Sequence, residues 1–237
     1  TSRSLTKFTA LFKMLTVSQS FWLHYVCFML YLAVLTGDYA YMNLPTHRIY
    51  AGRFKFLTFW SFLIGLVYHN MAAIFDFMVY SRGKDSPLWK TIRDYVFTAI
   101  VFPLAMFVCS MFWIIYTVNP TFLRKPDEDK LYPFWMNHGY HTLPILTAFI
   151  QAYLIKHTYP KNLSAIIGLV LVNSLYIAWL FWIAYRADIW VYPFLARMSI
   201  FGVILFIAAS AALTFGLYFV GKKFSNFVWS NAKAKTS

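Results

Sequence analysis

The sequence predicts an all-α, polytopic membrane protein: a six-transmembrane-helix bundle forming a single domain, 1–237, with both termini cytoplasmic. Three observations carry this. The 237 residues are 60% hydrophobic and only 12% charged, against about 45–50% apolar and about 25% charged in soluble domains. The apolar residues gather in runs of about 18 or more, long enough for a helix to cross a bilayer. The charges fall mostly between those runs and are unbalanced, 21 Lys and Arg against 8 Asp and Glu, for a net +13. A soluble nucleic-acid binder shares the charge but not the apolar runs, so no nucleic-acid partner is expected. A disordered chain lacks this aromatic and aliphatic content. Cys27 and Cys109 are too few for a disulfide framework or a Cys-rich zinc site and read as small buried hydrophobes.

The spans follow in order. The first covers about 17–36. It is too long for a cleaved signal peptide, and no small-x-small pattern follows it. The second, 56–80, ends at the turn signal Ser81-Arg82-Gly83-Lys84-Asp85-Ser86-Pro87. The third, 95–118, stops at Asn119-Pro120, and the fourth, 138–155, is followed by Tyr159-Pro160. The fifth covers 163–185 and the sixth 198–220. With six crossings, thirteen Lys and Arg fall on one side and eight on the other. The positive-inside rule then puts both termini in the cytoplasm. Asn162-Leu163-Ser164 is a glycosylation sequon on that side and is expected to carry no glycan. Lys233 and Lys235 resemble a dilysine retrieval signal for the endoplasmic reticulum, the alternative being a basic tail held at anionic headgroups.

Ionisable groups inside spans point to function. On a helix of ~3.6 residues per turn, Thr58, Ser61, Gly65, His69 and Asp76 fall within an arc of about 80°. This stripe should face the bundle interior, where Ser61 and Gly65 serve helix packing. Asp76 and Arg93 flank a short turn and should pair. The fourth span opens on Asn137-His138-Gly139-Tyr140-His141-Thr142. His138 and His141 share one face, which suits either a metal or haem edge or a general base with helpers. The sequence offers no convincing third metal ligand. Asp127, Glu128 and Asp129 read as a solvated loop. Thr58 and His141 lie near the outer ends of spans two and four, so a hydroxyl and an imidazole share one depth and could form a nucleophile–base pair. Lys55, Arg53, Arg48 and Asp188 lie near the same interface.

Several blocks carry a resemblance. They are Arg53-Phe54-Lys55-Phe56-Leu57-Thr58, Arg93-Asp94, Phe102-Pro103, Phe112-Trp113-Ile114, Trp135 through Thr142, and Trp190-Val191-Tyr192-Pro193-Phe194. Each is weak alone, but their order across about 40–229 is specific. Through them the chain resembles the family of androgen-induced membrane proteins, which also holds the androgen-dependent regulator of tissue factor pathway inhibitor. The resemblance implies hydrolysis of fatty acid esters of hydroxy fatty acids by an intramembrane threonine, Thr58 here, and a histidine, His141 here. It implies a long-chain lipid ester as substrate, membrane lipids as surroundings, and neither metal nor other cofactor. The chain departs from the family pattern at Phe54, commonly Trp, and at Tyr140, commonly aliphatic or Met. His69 is its own.

On this reading, His141 takes the proton of Thr58 as it attacks the ester, and returns it to the leaving oxygen. Asn137 and His138 are candidate oxyanion donors, and Asp188 a candidate to orient His141. Lys55 or Arg53 would meet the substrate carboxylate, with snorkelling to headgroups as the alternative for Lys55. Trp190 and Tyr192 would form an aromatic belt or cap the mouth of the site. Other functions remain open: a small-solute transporter using the polar stripe of span two, a redox protein using His24, His69, His138 and His141, or a non-catalytic membrane regulator.

Overall fold

A computed structural model describes residues 15–83 and 85–233, with side chains as far as 230. Arg3, Lys7, Lys13 and Lys84, which count among the basic residues, lie outside what is described, as do Lys235 and the Lys233 side chain of the dilysine pattern. Among the described residues the structure is helical, with no strands. Seven helices make the frame: α1 (Val17–Tyr41), α2 (Leu57–Arg82), α3 (Pro87–Val118), α4 (Phe134–His141), α5 (Leu143–Leu154), α6 (Asn162–Ala187) and α7 (Ile200–Lys233). Five of them, α1, α2, α3, α6 and α7, are long and apolar enough to cross a membrane.

Local chemistry sets the helix ends. Thr16 caps α1 in a reciprocal box with Gln19, satisfying two of the amides that a helix start leaves unpaired. α2 stops at Gly83, whose φ of 64° suits a residue without Cβ. α3 opens on Pro87, where a missing amide hydrogen costs nothing. Within α3, residues Phe97–Val101 widen into a π-turn just before Pro103. Proline cannot donate, and its ring crowds the carbonyl one turn back, so the helix takes up the extra residue there. The helices overrun the apolar stretches: α1 reaches Tyr41, and α3 starts eight residues before Tyr95. Caps and prolines end a helix; hydropathy only says which part lies in lipid.

The fourth span departs from the single helix expected over 138–155. It is split at Thr142, where φ is −126° and ψ −41°, into α4 and α5. Pro144 explains the break, since it cannot donate back across the join. Placed end to end, 134–154 would still cover about 30 Å at ~1.5 Å per residue.

The stripe on α2 does face inward: Ser61, Gly65, His69 and Asp76 are all buried. Gly65 admits the Tyr31 ring of α1 so closely that a Cβ there would lie 2.8 Å from it. At the far end of α2 from Thr58, Arg93 donates to Asp76 at 3.2 Å, as the short turn predicted. His157 Nδ1 meets Asp94 at 2.8 Å nearby. Gly139 lets α4 lie against α1, since a Cβ there would be 2.8 Å from Val34. This close crossing delivers His141 and Tyr140 to the end of the bundle where α2 begins.

Candidate active site

Thr58 sits in the first turn of α2, half-buried. The chain reaches it through a reversal at Ala51 and Gly52, with φ of 62° and 51°, and a short 3-10 turn, Gly52–Lys55. Phe56 occupies the N-cap position and has no side-chain acceptor to offer, so a partner from elsewhere must meet the first amide of α2. Leu57 N–H donates to the hydroxyls of Tyr176, on α6, and Tyr192, at 3.1 and 3.2 Å. Tyr176 in turn donates to the Lys55 carbonyl at 3.0 Å.

His141 closes α4 and is 5% exposed. Its Nδ1 lies 2.9 Å from the Asn137 carbonyl, one turn back. A carbonyl oxygen only accepts, so Nδ1 carries the hydrogen and Nε2 keeps its lone pair. The imidazole also lies flat on Phe112 of α3, with ring centroids 3.4 Å apart and planes 10° apart. A hydrogen bond along the ring edge and a stack on its face leave the imidazole one orientation.

Two compartments meet at these residues. The first is a cavity of about 350 Å³ lined by both charged and apolar side chains, whose wall includes Thr58, His141, Lys55, Arg53, Trp190 and Tyr192. The second is an apolar groove of about 120 Å³ between α3, α6 and α7, lined largely by aliphatic and aromatic side chains. Thr58, Phe112, Leu123 and Tyr192 belong to both walls. Thr58 therefore stands where the chamber with charged side chains borders the apolar groove.

The basic side chains of the chamber differ in what they can do. Arg53 makes three hydrogen bonds, to the Asp38 carboxylate at 2.6 Å and to the Asp38 and Met42 carbonyls. It is chiefly a strut. Lys55 is 1% exposed, donates to the Thr46 carbonyl and lies near Glu128. Burial pushes its ammonium down to about 8, with Glu128 opposing the shift. Arg124 bonds Asp129 and Asn137 and lies 4.1 Å from the Tyr132 ring. Lys125 is exposed at the rim.

Three expected helpers are elsewhere. Asn137 lends His141 its backbone carbonyl, while its side chain accepts from Arg124. His138 pairs with Thr142 at 2.9 Å and packs on Trp113 and Phe134. Neither belongs to the wall of the chamber or the groove. Asp188 is exposed at the end of α6 with φ of 53°; the Asn137 carbonyl holds the His141 nitrogen that Asp188 was expected to meet. The acidic run is only partly solvated: Glu128 is 6% exposed and accepts from Thr46 N–H.

Residues that the sequence did not single out line both compartments, Asp38 the chamber and Tyr176 the groove. Asp38 is 1% exposed and accepts from Arg53 and from the Tyr140 hydroxyl, at 2.6 and 2.8 Å. Its position just past an apolar run was a signal of a paired charge. Tyr176, one of 17 tyrosines, carried no such signal. Among the described residues, no three His, Cys, Asp or Glu side chains gather to hold a metal ion.

Comparison with known proteins returns one family. The family described as FAR-17a/AIG1-like protein matches residues 16–226. The androgen-induced gene 1 protein of Homo sapiens is 30% identical over 205 residues, covering 83% of this chain and 86% of the relative. The androgen-dependent TFPI-regulating protein of Rattus norvegicus is 32% identical, covering 75% of this chain and 78% of its own. The Homo sapiens form of that protein is 26% identical, with 76% and 79% covered. No solved structure matches.

Proposed function

The chain belongs to the FAR-17a/AIG1-like family, and from that premise we propose that it is an intramembrane carboxylic ester hydrolase with Thr58 as nucleophile and His141 as base. The observation that carries the reading is the shared chamber: a hydroxyl and an imidazole whose Nε2 is free to accept a proton line one wall. A threonine hydroxyl is barely nucleophilic without such a base.

In the reaction, Thr58 Oγ1 bonds to the ester carbonyl carbon while its proton moves to His141 Nε2. The carbonyl electron pair shifts onto oxygen. Collapse breaks the bond to the alcohol oxygen, which takes the proton from His141 and leaves. Water then repeats the sequence on the threonine ester, with His141 again taking and returning a proton.

The substrate class is an ester of a long acyl chain with a hydroxy fatty acid bearing a free carboxylate. Arg53 and Arg124 are ion-paired with Asp38 and Asp129, which leaves Lys55 and Lys125 against Glu128 in the chamber, a balance that favours an anion there. The groove suits a hydrocarbon chain. The positive-inside count supports a chamber on the non-cytoplasmic side and both termini in the cytoplasm.

An alkyl fluorophosphonate tests the assignment. It should label the native protein on Thr58 and fail on Thr58→Ala and His141→Ala. Normal labelling of Thr58→Ala rejects the nucleophile. Absence of any labelling or ester cleavage by the native protein favours a non-catalytic regulator.

A further inference from the structure

Ester hydrolysis needs a hydrogen-bond donor where the oxyanion forms, and the residues expected to supply it are outside the chamber wall. We propose that the Tyr192 hydroxyl is that donor, an inference that rests on the hydrolase reading.

The argument starts from the junction. An ester attacked by Thr58 must place its carbonyl where the chamber meets the groove. Four residues line both compartments, and of these only Thr58 and Tyr192 carry a group that can hydrogen-bond. Phe112 instead carries His141 on its face. Nucleophile and phenol therefore share that boundary, and the base lies on the chamber wall, stacked on the boundary residue Phe112.

The hydrogen-bond pattern leaves the Tyr192 proton available. Its oxygen accepts from Leu57 N–H at 3.2 Å. Tyr176 has one proton, committed to the Lys55 carbonyl at 3.0 Å. The two phenol oxygens are 3.4 Å apart, longer than the ~2.8 Å of a good O–H···O bond. An amide donating into a phenol oxygen polarises its O–H, which strengthens the phenol as a donor. Leu57 adjoins Thr58, so one stretch of backbone positions both nucleophile and donor. Stacking on Phe194, at 5.9 Å between centroids, also holds the ring.

The test is Tyr192→Phe in the whole protein in nanodiscs, assayed on a long-chain lipid ester and on its thionoester, where sulfur replaces the carbonyl oxygen. Sulfur accepts hydrogen bonds poorly, so a donor at the oxyanion makes the wild type cleave the thionoester far more slowly. Removing the donor should lower kcat on the ester by about 100- to 1000-fold, with KM held within about threefold. The ester-to-thionoester rate ratio should collapse towards one, which a merely structural tyrosine would not cause. A kcat within about threefold of wild type, or an unchanged ratio, overturns the proposal. Equal rates of the wild type on both esters overturn it even if the variant fails to fold. An active Tyr192→Phe beside a dead Thr58→Ala removes Tyr192 and leaves the hydrolase standing. A wild type that cleaves neither ester removes both.

Discussion

Raising the pH from 7 to 9 should weaken the KM for a free-acid lipid ester by about tenfold and leave its methyl ester unaffected. The perturbed group is Lys55, which titrates at about 8. One unit below that value about nine-tenths of the side chain is charged, and one unit above about one-tenth. If the ammonium pairs with the substrate carboxylate, affinity follows that fraction. A hydrogen bond to a charged group is worth about 1.5–3 kcal/mol, so Lys55→Met at pH 7 should raise KM for the acid about 10- to 150-fold. The lower end is expected, because Lys55 already donates to the Thr46 carbonyl and feels Glu128. Unfolding does not mimic this trend at Lys55. Below pH 8 the side chain holds its proton folded and unfolded alike. Between 8 and the ordinary value of 10.5 only the unfolded chain holds it, so unfolding takes up a proton and stability rises with pH. The assay is initial-rate kinetics on acid and methyl ester at pH 7, 8 and 9, for wild type and Lys55→Met. Equal changes for both substrates, or a pH profile that survives Lys55→Met, would refute the carboxylate role.

Two further outcomes follow from the geometry. Asp38→Ala strips the partner from a largely buried Arg53 and from the Tyr140 hydroxyl, and loss of one member of such a pair costs about 3–5 kcal/mol; thermal unfolding in detergent should register it as a large fall in Tm, and an unchanged Tm would show that the pair carries no load. Asn137→Ala keeps the backbone carbonyl that orients His141, so kcat should stay within about threefold, whereas an oxyanion donor would cost about 100-fold or more; single-turnover kinetics separate the two.

Much of this fold was legible in the order of residues, because helix formation in lipid is a local matter. Each span shows as an apolar run, and Asn119-Pro120, Gly83 and Pro87 mark ends that the structure keeps. The break at Thr142 was the local signal passed over: Pro144 stands in the sequence, but apolar content alone hid it. The inward stripe on α2 was legible for the same reason, since a period of ~3.6 residues is set by the backbone itself.

The chamber was legible only in part. Thr58 and His141 stood out because polar groups near spans are scarce and because the blocks around them resemble a family. The surroundings of their neighbours were not legible, because adjacency along the chain does not fix which way a side chain points. Asn137 and His138 adjoin His141 along the chain, yet helix geometry turns their side chains to Arg124 and Thr142.

By itself, then, the sequence determined that the chain is helical, lies in a membrane and carries few groups able to do chemistry, since hydropathy and helix period depend on composition and local spacing. Only the tertiary structure decided that Thr58, Phe112, Leu123 and Tyr192 share one boundary between a charged chamber and an apolar groove. That choice rests on helix crossings such as Gly139 against Val34, where the absence of a side chain in one helix makes room for another far away in the chain.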